Sequence, residues 1–455
     1  MLEALRFTNF KSWTRADMPC GRITGVFGTN SSGKTSLLQF LLLLKQTKNA
    51  TDRALALDLN GDLVKLGTIR DAIHGHEESR EITWRVSYGL PQALVLSNPS
   101  GGIVARGRQL TLRASVRIHA MAPRSRSLSY RLGDARFRLA SRTSDDRSFD
   151  LRAEPAREGT EFGFNFVRTT GRPWQLPPPV KSYAFPDQAR TYYQNASFLS
   201  DLEAAYEAAL DQTFYLGPLR EFPQRDYLWA RSRPTDVGQR GEKTIDAILA
   251  AFEAGEMRNL RARARLWPFQ QMIAYWLREM GLIDSFSVVE IAAGSNRWQA
   301  RVRTRPGGSE VLLTDVGFGV SQVLPVVTLL QYVPEGSTVI LEQPEIHLHP
   351  LAQAGLADVI IQAATHRNVQ VILESHSEHL LLRLQRRIAE QSIGSTDVKL
   401  YFCDMPHGES SLTPLDVDLL GNIRNWPDRF MGDQFNEVAT AEMARLARRT
   451  AQSAE

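Results

Sequence analysis

The alternation of apolar and polar residues divides the chain into regions of different predicted structure. Residues 2–7 and 21–27 read as two short strands, and the second runs directly into a glycine-rich turn. Residues 36–45 follow, rich in leucine and free of glycine and proline, and this pattern predicts a buried helix. Strand, glycine loop and helix in this order are what a phosphate-binding unit requires.

The middle of the chain shows two further patterns. From about residue 82 to 166, short alternating runs are separated by Gly, Pro, Ser and Asp, which predicts an antiparallel, β-rich insertion. The three prolines at 177–179 mark a loop, and residues 196–212 and 241–281 are predicted to be helical. We interpret this middle region as an arm or lid inserted into a nucleotide-binding domain.

After residue 285, apolar strands alternate with helices, which are predicted at 320–332 and 351–365. Alternating strands and helices indicate a mostly parallel sheet, so the predicted fold class is α/β with an antiparallel β-rich insertion and a helical arm. The patterns predict five regions. They are an N-terminal lobe with the phosphate loop (1–80), the β-rich insertion (81–170), the helical arm or lid (171–284), a C-terminal lobe (285–395) and an extension with a charged terminal helix (396–455).

The composition is that of an ordinary folded protein, with 43% hydrophobic and 23% charged residues among 455. The longest apolar run, near residues 37–44, is far shorter than the roughly 20 residues of a membrane-spanning helix. Cys20 and Cys403 supply neither a disulfide framework nor a CxxC metal pair, and the N-terminal pattern lacks a secretory signal. We therefore expect a cytoplasmic protein without membrane contact. The net charge of +4 is too small to indicate nucleic-acid binding by itself.

Residues 28–35, GTNSSGKT, match the phosphate-loop pattern G-x-x-x-x-G-K-[ST] at every fixed position. In such a loop, backbone N–H groups surround the β-phosphate at the positive end of a helix. Lys34 reaches the β and γ oxygens, and the Thr35 hydroxyl ligates Mg²⁺. A Gly/Ser loop that binds nothing is the alternative, and the flanking strand and helix argue against it. The predicted ligands, ATP and Mg²⁺, are held by Asn30, Ser31, Ser32, Gly33, Lys34, Thr35 and Ser36.

Two apolar strands end in polar residues that suit the same site. Residues 338–345, TVILEQPE, place Glu342 at the carboxyl end of a strand, where a carboxylate holds Mg²⁺ or its water. Glu374, Ser375 and His376 end another strand, and we expect His376 to hydrogen-bond the γ-phosphate. Alone, each strand could simply end in a solvated polar residue; beside a phosphate loop, the functional interpretation is favoured.

A second anion site is predicted where residues 315–322, DVGFGVSQ, lead into a helix. Gly319, Ser321 and Gln322 lie at the helix N-terminus, which attracts anions, yet no phosphate of the same subunit needs this site. The alternative is a tight turn with Ser321 as the helix N-cap.

The order of these motifs resembles that of ABC-type ATPases of the SMC and RecF kind and, more narrowly, of OLD-like ATPases. The motifs that carry the resemblance are NFKS (9–12), GFGVSQVLP (317–325), EQPEIHLHP (342–350) and ESHSEHLL (374–381). Two more segments, YLGPLREFPQRDY (215–227) and GNIRNWPDRF (421–430), are similar to a subgroup with a C-terminal domain of unknown function.

The resemblance implies a homodimer or a higher homo-oligomer in which residues 317–322 of one subunit complete the ATP site of another. It also implies that Asn9 and Lys11 lie near the adenine and that Gln46, after the phosphate-loop helix, senses the metal ion. One position departs from the family pattern: the residue after Glu342 is usually a Glu that acts as base, and here it is Gln343. An amide cannot accept the proton, so either Glu345 takes part or hydrolysis is slow.

The resemblance further implies a biological role in anti-phage defence, with nucleotide-dependent assembly controlling a separately encoded effector. The residues after His376 include Asp404, Asp416 and Asp418 without an acidic nuclease pattern, which favours a separate effector. The alternatives are a RecF-like DNA repair or replication ATPase and an OLD-like nuclease. Arginine-rich strands between residues 106 and 147 suit DNA phosphates, and a merely solvated surface is the alternative there.

Overall fold

The computed structural model describes residues 1–98, 101–142, 148–157, 162–171, 175–261, 263–427 and 440–445. Its strands are β1 (Leu2–Phe10), β2 (Trp13–Pro19), β3 (Ile23–Gly28), β4 (Glu81–Ser97), β5 (Ile103–His119), β6 (Ala122–Leu132), β7 (Ala135–Ser141), β8 (Phe149–Pro155), β9 (Thr213–Leu216), β10 (Tyr227–Leu228), β11 (Met257–Arg258), β12 (Trp267–Pro268), β13 (Ser285–Glu290), β14 (Arg297–Arg303), β15 (Val311–Leu312), β16 (Thr338–Glu342), β17 (Gln370–Glu374), β18 (Val398–Asp404) and β19 (Ser411–Leu415).

The α-helices are α1 (Lys34–Asn49), α2 (Ile69–Ala72), α3 (Asp187–Tyr192), α4 (Leu199–Asp211), α5 (Thr244–Glu253), α6 (Phe269–Glu279), α7 (Phe318–Tyr332), α8 (Pro350–His366) and α9 (Glu378–Ala389). Residues 440–445 are also helical. The rest of the predicted charged terminal helix, and residues 428–430 of the similar C-terminal segment, lie outside the described residues.

A six-stranded sheet forms the centre of the molecule, in the order β19-β18-β3-β17-β16-β9. All its pairs are parallel except the edge strand β19, which is antiparallel to β18. Its inner strands are buried on both faces: Leu341 and Leu373 pack into one apolar core, and Ile340 and Ile372 into the other. Helices on both faces account for the near-continuous apolar runs of these strands. The mostly parallel sheet predicted from the sequence is present.

A seven-stranded antiparallel sheet lies beside it, in the order β2-β1-β4-β5-β6-β7-β8. The β-rich character predicted for residues 82–166 is therefore correct as far as β8. These strands, however, continue a sheet that starts with β1 and β2, so they form one wall of the nucleotide-binding lobe and not a separate arm. β2 was missed because its apolar positions are only partly regular.

Two segments differ from their predicted structure. Residues 162–167 form no strand; Phe162, Phe164 and Phe166 instead pack around Phe137 and Phe198.

The region 241–281 is two helices, α5 and α6, separated by the short pair β11–β12. Both helices belong to the core that also contains α7, so they are an integral layer and not a free lid. In the described ranges, no helix has both the length and the apolar character that a bilayer crossing requires.

Candidate functional site

The phosphate loop connects β3, in the middle of the parallel sheet, to α1. Gly28 and Gly33 have positive φ angles of 145° and 95°, which glycine adopts without strain. A Cβ at Gly28 would collide with the Cys403 carbonyl, and one at Gly33 with the Ser410 side chain. Both glycines are therefore required by the backbone geometry as well as by the close approach of β18 and the residues before β19.

The loop presents donors to an anion. Helix α1 has no side-chain cap and no acid in its first turn, so its first N–H groups are available to phosphate oxygens. The Lys34 Nζ donates to the carbonyl oxygens of Thr29 (2.6 Å) and Gly28 (3.2 Å), so its charge lies at the phosphate loop. Burial lowers the pKa of Lys34, and the charge of Glu374 opposes this effect. The residues fit a bound triphosphate.

Two flanking segments hold the loop from outside. The Trp13 Nε1 donates to the Gly33 carbonyl at 3.1 Å, and the Cys403 Sγ donates to the Ser32 carbonyl at 3.0 Å. Ser410 joins the two sides, because its backbone N donates to the Ser12 carbonyl at 2.9 Å and the two hydroxyls lie 2.6 Å apart. The sequence motifs did not identify these contacts, and the bond between Ser410 and Ser12 links residues 398 positions apart.

Two carboxylates meet at the carboxyl ends of neighbouring strands. Glu342 of β16 and Glu374 of β17 are register partners, and the Thr35 hydroxyl donates to Glu374 Oε1 at 3.1 Å. Burial and the neighbouring Glu374 raise the pKa of Glu342 to about 7, and a hydrogen bond from Tyr215 opposes part of the rise. Burial also raises the pKa of Glu374, against the effects of Thr35 and Lys34.

This carboxylate pair fits a divalent cation. The Glu374 Oε2 is buried and has no hydrogen-bond partner among the described residues, so a ligand oxygen is left over beside Thr35. Two adjacent buried carboxylates with raised pKa values are stabilised when a cation replaces the missing solvent. Glu374 was not among the predicted metal ligands, although the sequence pattern had placed it at the end of a strand beside the phosphate loop.

Arg220, on the segment after β9, fixes the turn that follows Glu342. Its guanidinium is 4% exposed and donates to the carbonyls of Glu342 (3.2 Å) and Gln343 (3.4 Å). Gln343 has a φ of 43°, a conformation that non-glycine residues adopt rarely, and its N–H donates to the Glu374 carbonyl at 2.9 Å. The buried arginine thus holds Gln343 in a strained geometry at the edge of the site.

Glu345 is tied to the loop that carries His376. It is 6% exposed, and its Oε1 accepts hydrogen bonds from the Ser375 hydroxyl (2.8 Å) and the His376 N–H (2.7 Å). This oxygen positions the loop, and the other, Oε2, is buried without a hydrogen-bond partner among the described residues. The His376 side chain is exposed on the Lys34 side; burial of part of the ring and the charge of Lys34 lower its pKa.

The predicted second anion site is only partly exposed. Gly317 and Phe318 are exposed at the start of α7, but Ser321 and Gln322 are buried inside the helix. The Ser321 hydroxyl donates to the Phe318 carbonyl at 2.8 Å, so it serves neither as the N-cap nor as a surface ligand. The Ser321 and Gln322 side chains are therefore not placed at the surface as predicted; Gly317 and Phe318 are exposed there, and Gly319 is half-buried.

Among the residues assigned by resemblance, Asn9 lies near the end of β1 and Lys11 in the turn between β1 and β2, and the start of β2 contacts the phosphate loop through the bond from Trp13 to the Gly33 carbonyl. Both have positive φ angles, and Lys11 Nζ donates to the Gln39 side chain at 2.6 Å.

The metal-sensing role of Gln46 is wrong. It lies about 18 Å along α1 from Lys34, and its amide bonds to the backbone of Asp58, Leu63 and Val64. Both ends of the amide are used in these bonds, which hold the backbone of residues 58–64 against α1.

Two protein-family models match parts of the chain. Residues 120–383 match the family model described as "AAA domain, putative AbiEii toxin, Type IV TA system", and residues 393–440 match a protein family of unknown function, DUF3696. The phosphate loop lies before the first match, so its identification depends on its own pattern and geometry. No curated protein matches the chain.

Among solved structures, the SMC head domain from Thermotoga maritima is 10% identical, with 91% of this chain and 99% of that chain covered and a TM-score of 0.40. A Pyrococcus furiosus Smc head domain, bound to the C-terminal domain of ScpA, is 12% identical, with coverages of 91% and 96% and a TM-score of 0.43. A third structure, an SmcHead bound to the C-winged helix domain of ScpA, is 12% identical, with coverages of 91% and 98% and a TM-score of 0.45.

The strand order confirms the predicted fold class, a mixed α/β ABC-type P-loop ATPase fold. β3, which leads into the phosphate loop, lies between β18 and β17, and β16 with its terminal acid follows one strand further. Because the first family match covers more than half of the residues, the chain belongs to the family of AAA domains described as putative AbiEii toxins of type IV TA systems.

Proposed function

We propose that this protein binds ATP with Mg²⁺ in a site completed by a second copy of the chain and hydrolyses it slowly. The ATP-bound homodimer or higher homo-oligomer controls a separately encoded effector in anti-phage defence, in the cytoplasm. The observation that carries the ATPase assignment is the meeting of Lys34, Thr35 and the carboxylates of Glu342 and Glu374 at one edge of the parallel sheet.

Each group has a distinct part in binding and hydrolysis. Lys34 and the N–H groups of α1 bind the β and γ phosphate oxygens. Thr35, Glu342 and Glu374 would hold Mg²⁺, which supplies neutralisation of the phosphate charge. His376, exposed on the same side, donates a hydrogen bond toward the γ-phosphate from a ring whose pKa is lowered.

Slow hydrolysis follows from the residue that replaces the usual base. Gln343 can orient a water molecule but cannot accept its proton. Glu345, the alternative base, has its Oε1 occupied by Ser375 and the His376 N–H. Its Oε2 and the Oε2 of Glu374 are both buried without a hydrogen-bond partner among the described residues. Glu345 is held in the His376 loop and Glu374 is bonded to Thr35, so neither is free to act as an efficient base. We therefore propose turnover at or below the low end of the usual 1–10³ s⁻¹ range for enzymes.

The exposed start of α7 supports association of two copies. Phe318 is 40% exposed and Phe222 is 72% exposed, and their ring centroids lie 5.4 Å apart. His347, in the loop after β16, contacts Phe318 with ring centroids 4.9 Å apart. An exposed aromatic cluster beside free helix N–H groups suits a surface that docks on another subunit's phosphate. In this arrangement residues 317–319 of one copy complete the site of the other.

The defence role and the effector are supported by the description of the family, which names putative AbiEii toxins of type IV TA systems, and by the OLD-like motif order. The second candidate function is a RecF-like ATPase of DNA repair or replication, and the third is an OLD-like nuclease. In the described ranges no group of three or more His, Cys, Asp or Glu side chains is arranged to hold a metal ion. DNA-stimulated ATPase activity of the isolated protein would favour repair, Mn²⁺-dependent cleavage of plasmid would favour the nuclease, and a co-purifying effector would favour defence.

The test of the ATPase assignment is Lys34→Ala, compared with Lys243→Ala as a control with the same change in charge at an exposed position. Lys34→Ala should abolish ATP turnover and weaken ATP binding, while circular dichroism and the thermal transition stay close to those of the wild type. Lys243→Ala should behave as the wild type. Wild-type ATPase activity in purified Lys34→Ala would remove the basis of the assignment.

A further inference from the structure

The outward face of the seven-stranded sheet carries a concave, positively charged surface. We call it the arginine face and define it by Arg85, Arg113, Arg131, Arg136 and Arg138, which line a cavity of about 550 Å³. The opposite face of the same sheet packs into the apolar core that contains α1 and α4. The arginine face is thus held on a rigid support and is separate from the phosphate loop.

Strand register places these arginines directly opposite one another. Five like-charged pairs face each other across neighbouring strands: Arg6 and Arg85, Arg85 and Arg113, Arg117 and Arg124, Arg131 and Arg136, and Arg138 and Arg152. Like charges directly opposite in an antiparallel sheet are destabilising. A merely solvated surface gains nothing from such pairs, whereas a bound polyanion would neutralise them.

Acids of this face pair with arginines other than those at its centre: Asp17 with Arg6, Asp150 with Arg152, and Glu81, which lines the cavity, with Arg126. Glu154 of β8 is the register partner of Arg136. In the part of the chain that the structure describes, no carboxylate pairs with Arg85, Arg113, Arg131 or Arg138. Burial and the charges of Arg113, Arg6, Arg136 and Arg131 lower the pKa of Arg85, which reflects the same mutual repulsion. The centre of the face lacks the counter-charge that an anionic ligand would supply.

The other lining residues identify the kind of anion. Hydroxyls such as those of Ser87, Thr111 and Ser129 stand between the arginines, and such groups donate to phosphate oxygens. None of the lining residues is aromatic, so the surface offers no platform on which unpaired bases could stack. From β1 to β8 the face spans about 24 Å at the usual strand spacing of about 4.8 Å. This width and chemistry fit a backbone of regularly spaced phosphates.

We propose that the arginine face binds the sugar-phosphate backbone of double-stranded nucleic acid without reading its sequence. Arginine guanidinium groups bind phosphate oxygens in pairs and release counterions, which gives affinity that falls with salt. The arginines and hydroxyls of this concave surface contact phosphates on the outside of the duplex and do not reach the base edges in its grooves. Duplex DNA and duplex RNA present the same phosphodiester chemistry, so both belong in the test.

The test is fluorescence anisotropy of the full chain with 30-base-pair DNA and RNA duplexes and with a single strand of equal length, between 50 and 200 mM salt. The wild type should bind at least one duplex more tightly than the single strand. Arg85→Gln combined with Arg113→Gln should reduce affinity at least about tenfold and lower the salt slope by nearly 2. Arg231→Gln combined with Arg233→Gln, which removes the same charge from exposed positions outside the sheet, should not change binding.

Three results would overturn the proposal: no duplex binding at 50 mM salt, unchanged duplex binding by the Arg85 and Arg113 double variant, or displacement of duplex by polyglutamate at equal charge concentration. The last result would identify an acidic protein surface as the ligand. Folding is checked in the same samples, because removing the like-charged pair should raise the thermal midpoint. ATP binding by the double variant should equal that of the wild type, so a failure here leaves the ATPase assignment untouched.

Discussion

The buried carboxyl of Glu342 makes a prediction about stability as well as activity. Burial and the adjacent Glu374 raise its pKa from 4.5 to about 7, so its ionised form is disfavoured in the folded chain. Below the pKa of the unfolded state the carboxyl is protonated in both states, so its raised pKa does not lower the stability of the fold. Above the pKa of the folded state it is ionised in both states, and the full loss of stability is reached. Without nucleotide, the protein therefore loses stability as the pH rises from 4.5 to about 7.

The magnitude follows from the size of the pKa rise. The change from 4.5 to about 7 corresponds to a cost of about 3 kcal/mol at pH 8, which falls to about 1 kcal/mol at pH 5.5. Glu342→Gln keeps the shape of the side chain and removes the charge. It should raise the free energy of unfolding by up to these amounts.

Urea unfolding without nucleotide, followed by tryptophan fluorescence at pH 8 and pH 5.5, measures both values. Glu279→Gln, at an exposed position, is the matched control and should show no gain at either pH. Glu342→Gln should at the same time lose Mg²⁺-dependent hydrolysis, because the charge that costs stability is the charge that holds the ion. The reasoning would be refuted if Glu342→Gln were less stable than the wild type at pH 8, or if its gain were equal at both pH values.

Other substitutions separate catalytic from positioning roles. Gln343→Glu should speed single-turnover ATP hydrolysis by restoring a base, and unchanged turnover would show that the proton goes elsewhere. Glu345→Gln should slow hydrolysis by loosening the His376 loop without changing the pH at which hydrolysis titrates; a shifted pH profile would instead identify Glu345 as the base. Arg220→Met should lower the free energy of unfolding by about 1.5 to 3 kcal/mol and slow hydrolysis more than it weakens ATP binding, because its lost donors hold the backbone at Gln343; equal effects on both would contradict this. Gln46→Ala should cost about 2 to 4 kcal/mol in urea unfolding with an unchanged Mg²⁺ dependence of turnover, and a changed dependence would restore its metal role.

Local pattern was enough to predict the parts of the site that occupy a few consecutive positions. The phosphate loop needs glycines, a lysine and a hydroxyl at fixed spacing, and Glu342 and His376 each follow an apolar strand. Parallel strands bring their carboxyl ends to one edge, so the meeting of these groups followed from the strand order.

The rest of the site depends on contacts between distant segments. Arg220 acts on the carbonyl of Glu342, and Ser410 bonds to Ser12, with no periodic signal at any of these positions. Gln46 shows the opposite error, a ligand predicted where there is none. Its polar side chain suggested a metal ligand, but in the structure its amide bonds to the backbone of Val64. The arginine face likewise became interpretable only when the register of β4 to β8 was known.

The central claim, a shared ATP site between two copies, is tested most directly by mixing two inactive variants. Gly317→Arg adds a large side chain where the surroundings of the glycine are open, so it should block docking without disturbing the fold. Lys34→Ala removes the phosphate lysine. A mixed dimer places both defects in one site and leaves the other intact, so turnover should return to about a quarter of the wild-type value after full subunit exchange. A mixture as inactive as either parent, with exchange confirmed by differently labelled subunits, would contradict the account.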